Sequence, residues 1–554
     1  MKRYLYPLIL SLLFAIFLCV GMLLGERRAL MSGYSSHAIS TPLSNNSSSD
    51  MSSGDASAKL VYLFDLLRDK YVDTLELKNL VEDAIPTIIE DLDPHSNYIP
   101  ASDLAEVNEQ LDGSFSGVGI QFNIQQDTVM VIQVVAGGPS EKVGIVAGDR
   151  IVTVNDSVFC GKDVNNEKVL KTLRGPKGSK VKLGIKRASA DDILSFDIVR
   201  NDIPINSVVA TYLDDKIGYI RIDNFGRNTY QEFLTSLITL RSSGAESFLI
   251  DLRGNGGGYL DVCIGMVNEF LSRGNLIVYT EGRSQPRVDV PADGRGNFQS
   301  VPVVVLIDEW SASASEIFSG ALQDNDRATI VGHRSFGKGL VQQQFDLNDG
   351  SALRLTVARY YTPAGRCIQK PYEMGERDKY LMDLVDRYNH GEFYNQDSIK
   401  LADSLKYETA GGRTVFAGGG IMPDIFVPTD TSYLSPYYNK CVNSGVIYAY
   451  AFQYSDHHRA ELSGFKTFND MYRHLKNQHL LNKFVSYAEP KVKSSASGLK
   501  RSGEAIEGLI MAYIMRQSGY ENYFYQMINY NDRTYSKGME ILREGKAWPE
   551  KKHL

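Results

Sequence analysis

From Ile217 onward the chain alternates short β-branched runs with helix-spaced ones, and that alternation points it to a layered α/β core. Lys216-Ile-Gly-Tyr-Ile-Arg-Ile reads as a strand, Tyr230 to Leu240 as a helix, and Ser247-Phe-Leu-Ile-Asp-Leu as a buried strand. A helix near Leu260 to Phe270, a strand at Val301 to Ile307 and a serine-led helix continue the pattern. Beyond Gly339, the runs Leu340 to Phe345 and Ala352 to Ala358 flank Asn348-Asp-Gly, which signals a β-hairpin.

At 554 residues the chain has room for two to four domains. Residues 58–112 carry helical spacing (Leu60, Leu63, Leu66, Leu67; Leu80, Val81, Ala84), and residues 113–200 change to short β-type runs. The core is assigned to 201–435, and the Tyr- and Lys-rich remainder, 436–554, reads as a helical extension. A net charge of −7, with no basic stripe interleaved with aromatics, argues against nucleic acid as a partner. The five cysteines are scattered with no CxxC pair, so neither a structural zinc nor a disulfide framework is signalled.

At the N-terminus, Lys2 and Arg3 precede an apolar run from Tyr4 to Leu24, long enough to span a bilayer as a helix. Residues 1–28 are therefore expected to be an uncleaved signal anchor, with cleavage as the alternative. Arg27 and Arg28 on the far side blunt the orientation signal. The Ser-, Asn- and Gly-rich stretch 29–57 reads as a flexible tether.

Four motifs carry chemistry. Asp251-Leu-Arg-Gly-Asn-Gly-Gly-Gly follows a buried strand, and such glycines let backbone N–H groups face a cavity, as an oxyanion hole requires. A tight strand-to-helix turn explains the same residues. Gly332-His-Arg-Ser-Phe-Gly-Lys-Gly lacks the final hydroxyl of a phosphate-binding loop and leads into a strand, so a nucleotide-hydrolase reading is rejected. Ser311, Ser313 and Ser315 stand at a helix mouth; each could cap the helix, Ser313 with Glu316 matching a capping box, or attack a carbonyl. Spacing alone does not choose among them. Lys338, in an apolar setting of Phe336, Leu340 and Val341, could serve as a neutral base, whereas most lysines are solvated surface charges. His333 is a third candidate base. Finally, Gly117-Val-Gly-Ile opens the β-rich segment, and such a loop can aim amides at a terminal carboxylate.

Taken together, these blocks resemble the carboxyl-terminal processing (tail-specific) peptidases, a family of Ser/Lys endoproteases. The Gly117-Val-Gly-Ile start, Ala136-Gly-Gly-Pro through Gly148-Asp-Arg-Ile and Leu173-Arg-Gly-Pro-Lys-Gly resemble that family's PDZ domain, assigned to 113–200. The glycine run, Ser311 to Ile317 and Gly337 to Gln342 resemble its catalytic core, and Tyr360 to Arg366 with Gly420 to Ile425 its closing β-segments. The resemblance covers about residues 60 to 430 and implies an α+β, α/β multidomain fold: a crotonase/ClpP-like layered core with an inserted PDZ domain and helical ends.

By that resemblance Ser313 is the nucleophile, Lys338 the general base twenty-five residues later, and Gln342 the residue that orients its amine. Asp324 matches an accessory acidic position. Backbone N–H groups near Gly256 and Gly257 and that of Ala314 would form the oxyanion hole. Val118, Gly119 and Ile120 would bind a substrate's C-terminal carboxylate, with Arg174 a candidate relay to the core. The implied protein is a serine endopeptidase needing no metal or cofactor, acting on unstructured protein C-termini. It is expected in a bacterial cell envelope, on the periplasmic side of the cytoplasmic membrane, with a homodimer or an adaptor as further partners. The rivals are a non-catalytic PDZ-containing scaffold and a crotonase-like acyl-CoA enzyme.

Overall fold

The computed structural model describes residues 53–549 apart from 126, 188 and 400–402. The expected anchor, and the tether up to residue 52, lie outside those residues. The last five tether residues belong to a helix, Ser53–Lys70, whose Ala56 and Ala58 favour helix and whose Asp55 suits its first turn. That helix belongs to a compact unit ending at Asn79; a second unit, from Leu80 to Leu554, contains the elements below. Among the described residues no helix is long and apolar enough to cross a membrane.

The second unit is built on a six-stranded sheet in the order Val208–Asp214, Ile217–Ile222, Ser247–Asp251, Val303–Ile307, Thr329–Gly332, Ile425–Phe426. The first pair is antiparallel and the rest are parallel. Ser247–Asp251 and Val303–Ile307 are buried at every position, as parallel strands covered on both faces must be. Successive side chains point to opposite faces, so two separate cores form. On one face Phe248, Ile250, Val303 and Val305 meet Phe233, Met266 and Phe318 from helices Thr229–Ser242, Leu260–Asn268 and Ala314–Asp324.

On the other face Leu249, Val304, Leu306 and Val331 meet Tyr450, Phe484, Ile510 and Met539 from helices beyond residue 435. The residues read as an extension thus form a third layer of the core. Contact there is close: a Cβ on Gly538 would sit 2.7 Å from Leu249 Cδ1.

A second, antiparallel sheet places Ala352–Tyr361 between its hairpin partner Leu340–Asp346 and the strands Asn97–Ile99 and Leu276–Glu281. The β-rich segment forms its own sheet, with Ile120–Gln125 at the edge and helix Asn166–Leu173 burying Val169 and Leu173 in its core. Its incoming strand, Ser114–Gly117, pairs antiparallel with its outgoing strand, Asn201–Pro204, so the chain leaves and rejoins the core through one ribbon.

Candidate active site

The three serines separate by what their hydroxyls touch. Ser311 and Ser315 are fully buried. Ser311 Oγ donates to Leu252 O at 2.8 Å and Ser315 Oγ to Asn255 O at 2.9 Å, so both tie the helix mouth to the glycine turn. Ser313 instead lines a cleft of about 670 Å³, together with Gly256, Gly257, Ala314, Lys338, Gln342 and Tyr360. Its φ of 55° lies in the left-handed region, a strained conformation for a residue with a Cβ.

That strain is held by a buried carboxylate. Glu316 Oε2 accepts from Ser313 N at 2.8 Å and Lys338 N at 2.8 Å, while Oε1 accepts from Gly337 N at 2.7 Å and Ser335 Oγ at 2.5 Å. One side chain therefore fixes the backbone of both Ser313 and Lys338. Burial pushes its pKa up to about 7 against the pull of those four donors. The sequence shows Glu316 only as the fourth residue of a capping box; its partners around Lys338 come from another element. Tyr360 adds a second clasp, its hydroxyl donating to Ser313 O at 3.1 Å and to Lys338 O.

Lys338 is partly buried in the cleft wall, and that burial lowers its pKa, moving the amine toward the neutral form a base requires. Its Nζ donates to Gln342 Oε1 at 3.0 Å. A β-bulge between Val341 and Gln342 lets these neighbours both line the cleft, where regular alternation would turn one away. Gln342 Nε2 in turn donates to the backbone oxygen of His95. Sequence reading placed His95 in a helical stretch and gave it no part; its turn precedes the strand Asn97–Ile99.

Two expected roles are corrected. Gly257 is not a free oxyanion donor, because its N–H is spent on Asn255 Oδ1 at 2.8 Å. Its part is steric: at φ 100°, a Cβ would lie 2.7 Å from Ala312 O and 2.8 Å from Ser313 Cβ. Gly256 and Ala314 remain as cleft-lining candidates for the oxyanion hole. Asp324, expected as an accessory, lies outside the cleft lining. It ends the serine-led helix, eleven residues and roughly 16 Å along from Ser313, and is ion-paired with the fully buried Arg366.

His333 lies outside the cleft lining, with Nδ1 3.0 Å from Glu309 and its ring stacked on Phe393. In the inserted domain, Val118 O accepts from Ser140 N at 3.0 Å and Ser140 Oγ at 2.7 Å. Across a trans peptide this turns the Gly119 N–H the opposite way. Ile120 begins the edge strand, where an extended peptide could add. Arg174 Nη1 pairs with Glu109 at 2.7 Å and shares a second cavity with Gly254, Gly256 and Gly257, behind the glycine turn.

The glycine turn is anchored by charge. Asp251, fully buried, accepts from Tyr219 OH at 2.8 Å and from Arg253 Nη2 at 2.6 Å. Arg253 also reaches Asp532 at 2.8 Å, in the C-terminal layer.

Comparison with known proteins gives matches to peptidase family S41 over residues 216–375, to a PDZ domain over 116–198, and to a family of unknown function over 437–518. A carboxy-terminal-processing protease of Bartonella bacilliformis is 36% identical over 312 residues, 55% of this chain and 71% of that one. A carboxyl-terminal-processing protease of Synechocystis is 37% identical over 317 residues, 55% of this chain and 72% of its own. Among solved structures, a photosystem II D1 C-terminal processing protease is 31% identical with a TM-score of 0.34, covering 56% of this chain and 83% of that chain.

Proposed function

This chain belongs to peptidase family S41 and, within it, to the PDZ-containing carboxy-terminal-processing serine endopeptidases, and on that premise we propose how it works. The PDZ match argues against the acyl-CoA rival, and intact Ser313, Lys338 and Gln342 argue against a non-catalytic scaffold. In the proposed reaction the PDZ domain holds an unstructured protein C-terminus as an added strand on Ile120–Gln125, its carboxylate at the Val118–Ile120 loop. Ser313 Oγ attacks the scissile carbonyl and neutral Lys338 takes the hydroxyl proton. N–H groups of Gly256 and Ala314 receive the oxyanion, and the protonated lysine returns its proton to the leaving amine. Water, activated by the same amine, then releases the acyl group.

The observation that carries this reading is Lys338 in the cleft wall, aimed by Gln342 and joined to Ser313 through one carboxylate. The site is proposed to work outside the cytoplasmic membrane, tethered by the apolar run Tyr4 to Leu24 behind Lys2 and Arg3. The test is digestion of an unstructured protein with a free apolar C-terminus. Wild type should cut, Ser313→Ala and Lys338→Ala should not, and His333→Ala should cut as wild type does. Normal cutting by Lys338→Ala would overturn the base assignment.

A further inference from the structure

A glutamine can orient a lysine amine in a useful or a harmful way. With Oε1 toward Nζ it accepts an amine hydrogen and leaves the nitrogen lone pair free. With Nε2 toward Nζ it donates into that lone pair, the one that must take the serine proton. What decides between the two lies on the far side of the amide. There the partner is the His95 carbonyl, which can only accept, so Nε2 must face it and Oε1 must face Lys338.

The His95 carbonyl is itself held in a built turn. Asp93 is buried, and its Oδ1 accepts from His95 N at 2.9 Å, Ser96 N at 2.9 Å and Thr356 Oγ1 at 3.1 Å. Its Oδ2 accepts from Ser96 Oγ at 2.5 Å, and Ser96 Oγ accepts from Thr356 N at 3.0 Å. Thr356 is the cross-strand partner of Gln342 itself. The turn is thus clamped to the strand beside the glutamine it faces. On its outer side the His95 ring meets Tyr380 OH at 2.8 Å.

We propose that the turn Asp93–Ser96 is a working part of the base, with Asp93 a positioning residue that acts on Lys338 through the His95 carbonyl and the Gln342 amide. The proposal rests on the Ser/Lys reading above and assigns a role outside the segment that carries the nucleophile and the lysine. Asp93 also acts through its charge. Of the groups facing Lys338, Asp93 and Glu316 raise its pKa, and Arg354 on the neighbouring strand lowers it. His95 is neutral across the working range, because burial first and the Lys338 charge second hold it down at about 3. Burial would raise the Asp93 pKa, but the donors from Ser96, His95 and Thr356 keep it below the ordinary value, so Asp93 stays ionised.

Removing that charge should therefore lower the lysine pKa further. A base works once deprotonated, so the acid limb of the rate profile should move to lower pH. Loss of the charge moves it whether or not the amide is misaimed, so the double-variant cycle with Gln342 carries the test of positioning.

The experiment measures kcat and KM against pH on an unstructured substrate, using the full chain. The variants are Asp93→Asn, Gln342→Ala and the double variant. Asp93→Asn should lower kcat about tenfold with KM little changed and shift the acid limb downward. In the Gln342→Ala background it should cost less than about twofold. Should Asp93→Asn not fold, Thr356→Val, which removes one donor to Asp93 but leaves its charge, takes its place in the same cycle, read on kcat alone. Equal costs in both backgrounds, or a lowered kcat with the acid limb unmoved, would overturn the proposal. Failure of the underlying reading looks different: Lys338→Ala would then cut normally.

Discussion

Replacing Glu316 with Gln exchanges one oxygen for an NH2 group of similar size, and the consequences can be worked through. The carboxylate serves two donors on each oxygen, three of the four being backbone N–H groups. An amide has one oxygen, so in either orientation its NH2 faces two groups that also donate. At pH 8, where Glu316 is ionised, hydrogen bonds to the charged group are worth about 1.5–3 kcal/mol each, so losing two costs about 3–6 kcal/mol. A second effect depends on pH. The rise of the Glu316 pKa from 4.5 to about 7 corresponds to about 3 kcal/mol. The native state keeps this proton where the unfolded chain has lost it. That contribution is therefore full below pH 4.5 and is lost as pH rises through 7.

Glutamine never ionises, so the variant should trail wild type by a margin that narrows by about 3 kcal/mol between pH 5 and pH 8. Urea unfolding followed by circular dichroism at both pH values measures the margin. At pH 8, kcat should fall more than about a hundredfold, since the backbones of Ser313 and Lys338 lose their common support. A margin independent of pH, or a variant with wild-type kcat, would refute the reasoning.

Gly257→Ala should fold less well and lose nearly all cleavage, because its Cβ would press on Ala312 O and Ser313 Cβ; residual activity above about 1% of wild type would count against that steric role. Asp324→Ala should destabilise the protein by about 3–5 kcal/mol by stranding the buried Arg366 charge, while the fraction that remains folded keeps a near-normal kcat, as active-site titration would show. Truncation after residue 435 should yield insoluble or molten chain, since Leu249, Leu306 and Val331 would lose their cover; a soluble, cooperatively unfolding truncated protein would contradict the three-layer core.

The sheet and its helices were legible because burial on both faces leaves near-continuous apolar runs, and Thr229–Ser242 falls within two residues of the expected Tyr230 to Leu240. The hairpin followed from its turn residues. The choice among Ser311, Ser313 and Ser315 was not legible from spacing. It depends on Leu252 O and Asn255 O, some sixty residues away, each taking up one hydroxyl. Glu316 shows the same limit within one side chain: its bond to Ser313 N is a local pattern, and its bonds at Ser335, Gly337 and Lys338 are not. Gly257 was read as a donor because a glycine turn leaves amides bare, but a neighbouring asparagine had already taken that amide. The C-terminal helices were visible as helices, whereas their partner, the odd face of a central strand, was not.

The third layer also sets when this protease can come into being. Ser313, Lys338 and Gln342 leave the ribosome in mid-synthesis, long before Met539 and Leu542, which cover Leu249 and Leu306. Asp532, which braces Arg253 under the glycine turn, arrives equally late. A nascent chain therefore carries the proposed nucleophile and base for tens of seconds on an unfinished sheet, at about 5–20 residues per second. Synthesis itself acts as the safety catch: no cutting edge exists until the helices that bear Asp532, Met539 and Leu542 have been made.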